Sequence, residues 1–161
     1  MKNKREDVKI LIKTDFVYAV KDLFSHFSCQ LSDGYWENSG GPWAEYKDKY
    51  YPDIWNCFNF ECNKDGNFVI ILKAKPTWDE AEDDCEKFHE MKKSDIVAYL
   101  VEAILYSIEE HPGAFDFRYS DRELDVLTSC IKSWEVLPDP LPKLSHADLV
   151  KIIGYDFEYT K

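Results

Sequence analysis

The hydrophobic pattern is clearest between Ile54 and Lys75, where two β-rich runs flank a polar turn. The runs are IWNCFNFEC and FVIILKAK, and NKDGN lies between them. Two such runs joined by a short segment containing Asp-Gly are typical of a β-hairpin. Nearer the N-terminus, Val8, Ile10 and Ile12 alternate with lysine and leucine, which predicts another short strand.

Three segments repeat apolar residues at helical spacing, so each is predicted to turn one stripe toward a core. The stripes are Phe16, Val20, Leu23 and Phe27; Trp78, Ala81, Cys85 and Phe88; and Leu124, Leu127, Ile131 and Trp134. A fourth segment, residues 95–110, is apolar around most of its circumference and predicts a buried central helix.

Short-range signals mark where these helices begin. Thr77 with Glu80, and Ser120 with Glu123, have the spacing of a capping box, in which a hydroxyl and a carboxylate satisfy free backbone N–H groups. Asp15 or the threonine before it is a plausible cap for the first helix.

The remaining segments complete the predicted fold. An aromatic stretch over residues 31–60 contains Gly-Gly-Pro at 40–42 and predicts an ordered loop around a short helix at 43–50. Residues 146–153 predict a last helix, and 155–160 a closing strand. We therefore expect an α+β fold: one domain over residues 1–161, with a basic leader at about 1–7. Its small, mainly antiparallel sheet combines the hairpin at 54–75 with terminal strands and is packed by four or five helices.

Charge narrows the choice of partner. Lys and Arg total 20 and Asp and Glu total 31, which gives a net charge of −11. Such a surface repels phosphates, so direct binding of DNA or RNA is not expected. The start, MKNKREDVKILIK, is net positive and is interpreted as a solvated leader.

The sequence also indicates where in the cell the protein is located. It has no apolar run of about 18 residues and no secretory signal, so we expect neither a membrane span nor export. Its 5 cysteines lack the spacing of a disulfide framework and are expected to be reduced. We therefore expect a cytoplasmic protein.

The strongest candidate for a binding surface is an acidic helix after the hairpin. Asp79, Asp83, Glu86 and Glu90 recur at helical spacing and, with Glu82, form a line of carboxylates opposite the Trp78 and Phe88 stripe. One helical turn is about 5.4 Å, close to two phosphate steps of about 3.4 Å each along a DNA strand. The line therefore either mimics nucleic acid toward a basic protein or is an ordinary solvated helix face.

The aromatic stretch has two interpretations of its own. Trp36, Trp43 and Tyr46, with neighbouring aromatic residues, either cover the sheet or stay exposed as contacts for a basic partner. Both alternatives remain open on the sequence.

A zinc site is considered and not favoured. Cys57, Cys62, Cys85 and His89 have the spacings C-x4-C and C-x3-H. However, residues an odd number apart in a strand point to opposite faces, and Cys85 lies in an apolar stripe. Buried thiols are therefore expected, with no metal and no cofactor.

A nuclease is a further alternative. Asp53 after a proline, followed by Glu61, resembles the PD-(D/E)xK arrangement that binds magnesium. Because Lys64 lies on the wrong side of the strand and Asp53 precedes it, no catalytic residue is assigned.

Two segments carry a family resemblance. LSDGYWENS at 31–39 and LVKIIGYDF at 149–157 resemble segments of small accessory proteins of bacterial phages and plasmids. The resemblance implies a mobile-element origin, and with it a location in the cytosol of a bacterial host. Such elements often encode inhibitors of host defence. It implies no catalytic residue.

The leading hypothesis is therefore an acidic, non-enzymatic inhibitor of a host nucleic-acid-processing defence system, of the anti-CRISPR or anti-restriction type. It would mimic nucleic acid and occupy a basic groove of the host protein. The alternatives are an interaction module of the phage or plasmid, in replication or packaging, and a magnesium-dependent hydrolase with dispersed acids. The oligomeric state stays open.

Overall fold

The chain folds into a four-stranded antiparallel sheet and five α-helices over the residues that the computed structural model describes. These are residues 5–32, 41–51, 53–115 and 118–139, with no side chains described at 29–32 and 41–44. The strands are β1 (Val8–Lys13), β2 (Phe58–Cys62), β3 (Phe68–Leu72) and β4 (Glu135–Val136). The helices are α1 (Val17–Ser32), α2 (Gly41–Lys49), α3 (Glu82–His89), α4 (Lys93–Glu110) and α5 (Asp121–Ser133). The predicted α+β class is confirmed.

The sheet is ordered β2-β3-β1-β4, and every pair of neighbours is antiparallel. Ile10 lies opposite Ile70, which in turn lies opposite Phe60, so these side chains share one face. All five residues of β3 are buried, as expected for a continuous apolar run at the centre of a sheet. The predicted hairpin is confirmed as β2 and β3, with Gly66 supplying the left-handed turn residue at φ 79°.

An aromatic core joins α1 to the sheet. Phe24 of α1 contacts the rings of Trp55, Phe60, Phe68 and Trp134, with ring centroids 5.3 to 5.9 Å apart. These partners come from the 3₁₀ turn before β2, from β2 and β3, and from the residue after α5. Packing at this spacing favours tilted and edge-to-face ring pairs.

The start of α1 differs from the sequence prediction. The helical spacing predicts that Phe16 belongs to the buried stripe, but it is 63% exposed and has φ 54°. It lies immediately before the helix, and its carbonyl accepts the N–H of Val20. The left-handed backbone turns its side chain away from the core. A non-glycine residue in this conformation costs on the order of 1 kcal/mol.

The last helix begins as predicted. Ser120 Oγ accepts the N–H of Glu123, and the Glu123 carboxylate accepts the N–H of Ser120. After α5 the chain forms the short strand β4, which the sequence did not predict. The helix expected at 146–153 and the strand expected at 155–160 lie outside the described residues.

A polar clamp holds α1 to the segment before α5. Asp22 accepts two hydrogen bonds from the Arg118 guanidinium, at 3.0 and 2.6 Å, and a third from the Tyr119 hydroxyl. The hydrogen bonds from Arg118 lower the pKa of Asp22 from 3.8 to about 2.

The clamp predicts a pH-dependent difference in stability. The folded pKa lies below the unfolded value, so the stabilisation is complete above about pH 4 and is lost as the pH falls toward 2. Asp22→Asn should therefore lower the melting temperature at pH 6, and its difference from the unmodified chain should close as the pH approaches 2. Thermal unfolding over this pH range measures it. Asp125→Asn, at an exposed acid, is the control, and an equal pH dependence in both variants would contradict the prediction.

Candidate functional site

The predicted acidic helix exists, but it begins later than the sequence indicated. A 3₁₀ turn covers Asp79–Ala81, and α3 follows from Glu82. The predicted capping box of Thr77 and Glu80 is wrong, because Trp78 occupies the cap position and no side chain caps the turn.

Trp78 does not join the buried stripe. Ala81, Cys85 and Phe88 are fully buried as expected, whereas Trp78 is 55% exposed. Its backbone is extended, with φ −120° and ψ 139°, so it stands outside the helical repeat and its side chain faces solvent. This correction places a large aromatic ring directly beside Asp79 and Glu80 in the sequence.

The inner side of α3 is held firmly. The Phe88 ring packs edge-to-face on Phe58 at 5.0 Å and on Tyr99 at 5.4 Å. Asp84 is 8% exposed, and its Oδ2 accepts the backbone N–H of Asp53 at 3.1 Å. The helix therefore presents its outer side chains from a rigid base.

The carboxylates of this segment divide into engaged and exposed groups. Glu82 pairs with Arg5, and Asp84 lies 3.8 Å from the Lys87 ammonium. Glu86 is half-buried. The exposed carboxylates without an ion pair among the described residues are Asp79, Glu80, Asp83 and Glu90. We call these four, together with Trp78, the acidic surface.

The charge of the chain is concentrated here. Residues 79–90 contain seven acids and one lysine, and 1 minus 7 gives −6 of the total −11. Twelve residues thus carry more than half of the net charge. Clustered like charges raise the local potential more than the same charges spread over the surface.

The aromatic stretch packs where its side chains are described. Tyr46, predicted as a partner contact, is fully buried, and its hydroxyl accepts the indole N–H of Trp55. Burial raises the pKa of Tyr46 well above its ordinary value. Tyr50 and Trp55 are also buried, so packing is the correct alternative for these three residues. Trp36 and the side chain of Trp43 lie outside the described part of the structure.

The zinc ligands considered from the sequence are Cys57, Cys62, Cys85 and His89, and the structure describes the surroundings of each. Cys57 and Cys85 are fully buried, and the Cys57 thiol donates to the Ala81 carbonyl at 3.9 Å. Cys85 also donates to the Lys73 carbonyl at 3.3 Å, and His89 Nε2 lies 2.8 Å from the same oxygen. Cys62 lies at the far end of β2, about 16 Å away along the strand. In the described parts of the chain, no three His, Cys, Asp or Glu residues are grouped to hold a metal ion.

Burial also sets the chemistry of the thiols. It raises the pKa of Cys57 and of Cys85 above the ordinary value of 9.0, and it lowers the pKa of the neighbouring Lys73. Protonated thiols are weak nucleophiles and weak metal ligands. Cys57 and Cys85 therefore contribute to the packing of the core.

The two acids of the nuclease alternative, Asp53 and Glu61, lie in different surroundings. Asp53 is half-buried, and its Oδ1 accepts a hydrogen bond from Asn56. Glu61 is exposed near the other end of β2. Two described grooves, of about 260 and 150 Å³, are lined by neither residue.

Comparison of the chain with protein-family models, curated proteins and solved structures gives no match. None of the described helices combines the length and apolar character needed to cross a membrane.

The thiol environment predicts a reactivity order. In the native protein, iodoacetamide should modify the half-buried Cys62 faster than Cys57 and Cys85, because the latter two are fully buried and inaccessible to the reagent. Peptide mapping by mass spectrometry measures the order, and unfolded protein is the control. EDTA should leave the melting temperature unchanged. A measured content of one mole of zinc per mole of protein, with a lower melting temperature in EDTA, would contradict this prediction.

Proposed function

We propose that this chain is a non-enzymatic binding protein whose acidic surface occupies a basic cleft of another protein. The observation that carries the proposal is the set of four exposed carboxylates, none ion-paired within the described residues, beside the exposed Trp78. Clefts lined with Lys and Arg are how nucleic-acid-processing proteins hold phosphates.

Electrostatic attraction would raise both the association rate and the affinity of such a complex. An exposed ion pair contributes only about 0.2 to 1 kcal/mol, so one carboxylate would achieve little. Four carboxylates desolvated together against cations contribute more, because charge pairs strengthen when water is excluded. Opposite potentials also accelerate encounter, at a rate that falls with added salt.

Trp78 adds an aromatic contact to the charged groups of the acidic surface. Tryptophan is enriched at the energetic centres of protein interfaces, and its ring attracts Lys and Arg through cation–π contact. A tryptophan more than half exposed exposes apolar area that a partner can bury. The acidic surface thus combines an exposed aromatic ring at the start of the segment with the carboxylates that follow it.

The length of α3 limits the form of mimicry. Eight residues span about 12 Å, which corresponds to three or four phosphate steps along one strand. This length suits a cleft that grips a few phosphates rather than a channel that holds a long duplex.

The partner that we propose is a host nucleic-acid-processing defence protein, which this chain would inhibit in the anti-CRISPR or anti-restriction manner. The support is the acidity of the surface together with the resemblance of residues 31–39 and 149–157 to accessory proteins of phages and plasmids. An interaction module of the mobile element itself is the competing candidate.

Charge reversal tests the acidic surface. Asp79, Glu80, Asp83 and Glu90 are changed together to lysine, and captured proteins are compared at about 0.1 M and about 1 M salt, where screening lengths are about 10 and 3 Å. We expect the unmodified chain to retain a basic protein at low salt, with at least a tenfold loss of affinity in the variant because attraction becomes repulsion. Identification of the captured protein distinguishes a host partner from one encoded by the element.

The matched control reverses four exposed acids elsewhere: Asp48, Glu61, Asp65 and Glu109. Both quadruple variants shift the charge by +8, from −11 to −3. If the two variants lose affinity equally, net charge rather than the acidic surface governs binding, and the proposal fails.

Trp78→Ala tests the aromatic contact separately. It should weaken binding of the same partner by about thirtyfold or more, since a buried interface tryptophan contributes about 2 kcal/mol or more, and the loss should persist at high salt. Tyr18→Ala, at an exposed aromatic residue of α1, is the control. Titration by calorimetry measures both, and an unchanged affinity in Trp78→Ala would show that the ring lies outside the interface.

A further inference from the structure

Lys87 is the one lysine or arginine among residues 79–90. It follows Asp83 by four residues and precedes Glu90 by three, so on a helix its ammonium can reach either carboxylate. An acid four residues before a lysine is also the order that stabilises a helix best. Helical spacing alone therefore predicts that Lys87 neutralises part of the acidic surface.

The structure places the Lys87 ammonium elsewhere. It lies over the ring of Tyr51, 4.6 Å from the ring centroid, and 3.8 Å from Oδ1 of Asp84. In the described part of the chain, no ion pair joins it to Asp83 or Glu90. Tyr51 lies outside α3, shortly after the end of α2. A tertiary contact has thus replaced the pair that helical spacing favours.

The Tyr51 ring is fixed by contacts that do not involve Lys87. It stacks on Tyr99 of α4 at 5.1 Å and meets the Phe88 ring edge-to-face at 5.4 Å. The backbone N–H of Tyr51 also donates to the Tyr99 hydroxyl at 2.9 Å. Two rings and a hydrogen bond therefore hold the Tyr51 ring as a site for a cation.

Asp84 attracts Lys87 from the same side. Its side chain is only 11% exposed, and its Oδ2 accepts the N–H of Asp53 at 3.1 Å. This hydrogen bond fixes the carboxylate with Oδ1 at 3.8 Å from the ammonium, a distance at which the charges attract without a hydrogen bond. The ring and the buried carboxylate together draw the ammonium toward the inner side of α3.

The relative strengths of the contacts agree with this placement. An exposed cation–π contact is at least as strong as an ion pair between helix residues four apart, and the buried Asp84 strengthens the attraction. The Lys87 side chain is still 53% exposed, so its rotamers can change once the ring is removed. Loss of the Tyr51 ring should then release the ammonium toward Asp83.

We propose that Tyr51 is a positioning residue, which keeps Lys87 off the acidic surface and so maintains the negative potential that a basic partner meets. Its effect on binding rests on the proposed function, whereas the position of Lys87 does not. Released from the ring, Lys87 would neutralise Asp83 or Glu90, two of the four exposed carboxylates. The local potential would fall while the net charge stays at −11.

NMR spectroscopy of the unmodified chain tests the position of Lys87. Protons above an aromatic ring are shielded, so the ε-CH2 signals of Lys87 should lie upfield of those of Lys64, an exposed lysine of the hairpin turn. Tyr51→Leu should move them to the Lys64 values, whereas Tyr51→Phe, which keeps a ring, should not. Unshifted Lys87 signals in the unmodified chain would overturn the proposal.

Binding of a hexa-arginine peptide tests the consequence. Tyr51→Leu should weaken binding about two- to threefold at low salt, because Lys87 then pairs with acids of the acidic surface. Tyr51→Phe should retain the affinity of the unmodified chain. In a Lys87→Gln background, Tyr51→Leu should have no effect, since no ammonium remains to be released. Fluorescence anisotropy of the labelled peptide measures all four affinities.

Tyr106→Leu is the matched control. Tyr106 is also half-buried and also has a lysine ammonium over its ring, that of Lys49 at 4.5 Å. It lies seven residues after Tyr99 on α4 (106 minus 99), or about 10 Å further along the helix. Its loss should leave the affinity for the peptide unchanged. Circular dichroism verifies that each variant is folded.

Two results of the binding experiment would overturn the proposal. The first is an equal loss of affinity in Tyr51→Leu and Tyr106→Leu. The second is a loss in Tyr51→Leu that persists in the Lys87→Gln background, which would mean that the ring acts on binding without Lys87. If the charge-reversed quadruple variant binds the peptide as tightly as the unmodified chain, the proposed function fails, and the NMR signals still decide the position of Lys87.

Discussion

The packing of Phe24 against rings from four separate segments is the contact on which the rest of the fold depends. Trp55, Phe60, Phe68 and Trp134 are brought together by this one side chain of α1. Because the rings come from distant parts of the sequence, the contact fixes α1, the hairpin and the end of α5 relative to each other. The acidic surface depends on this contact, because the turn before β2 supports α3.

The link from this core to the acidic surface is short and polar. Trp55 belongs to the 3₁₀ turn whose preceding residue, Asp53, donates its N–H to buried Asp84 of α3. The Phe88 ring completes the attachment from the apolar side. Inward-facing groups of α3 are thus used for structure, which leaves its outward carboxylates available. A protein that needed these acids only for solubility could distribute them over any surface.

Local patterns in the sequence predicted the hairpin and the Ser120 cap, because both are decided by neighbouring residues. The same patterns failed at Phe16 and Trp78, which each lie just before a helix. Their spacing matches the buried stripe, yet their backbones are not helical, so both rings turn toward solvent. The sequence also located the acids of residues 79–90. It could not show which of them are neutralised, since the partner of Glu82 is Arg5, 77 residues away.

The strand order imposes a delay between the synthesis of β1 and its pairing with β3. Val8 of β1 pairs with Leu72 of β3, so 72 minus 8, or 64 residues, must be added before the first strand can complete its ladder. At about 5 to 20 residues per second, this takes roughly 3 to 13 s. During that interval an apolar β-forming segment waits without a partner, and Lys9 and Lys13 within it oppose premature association between nascent chains.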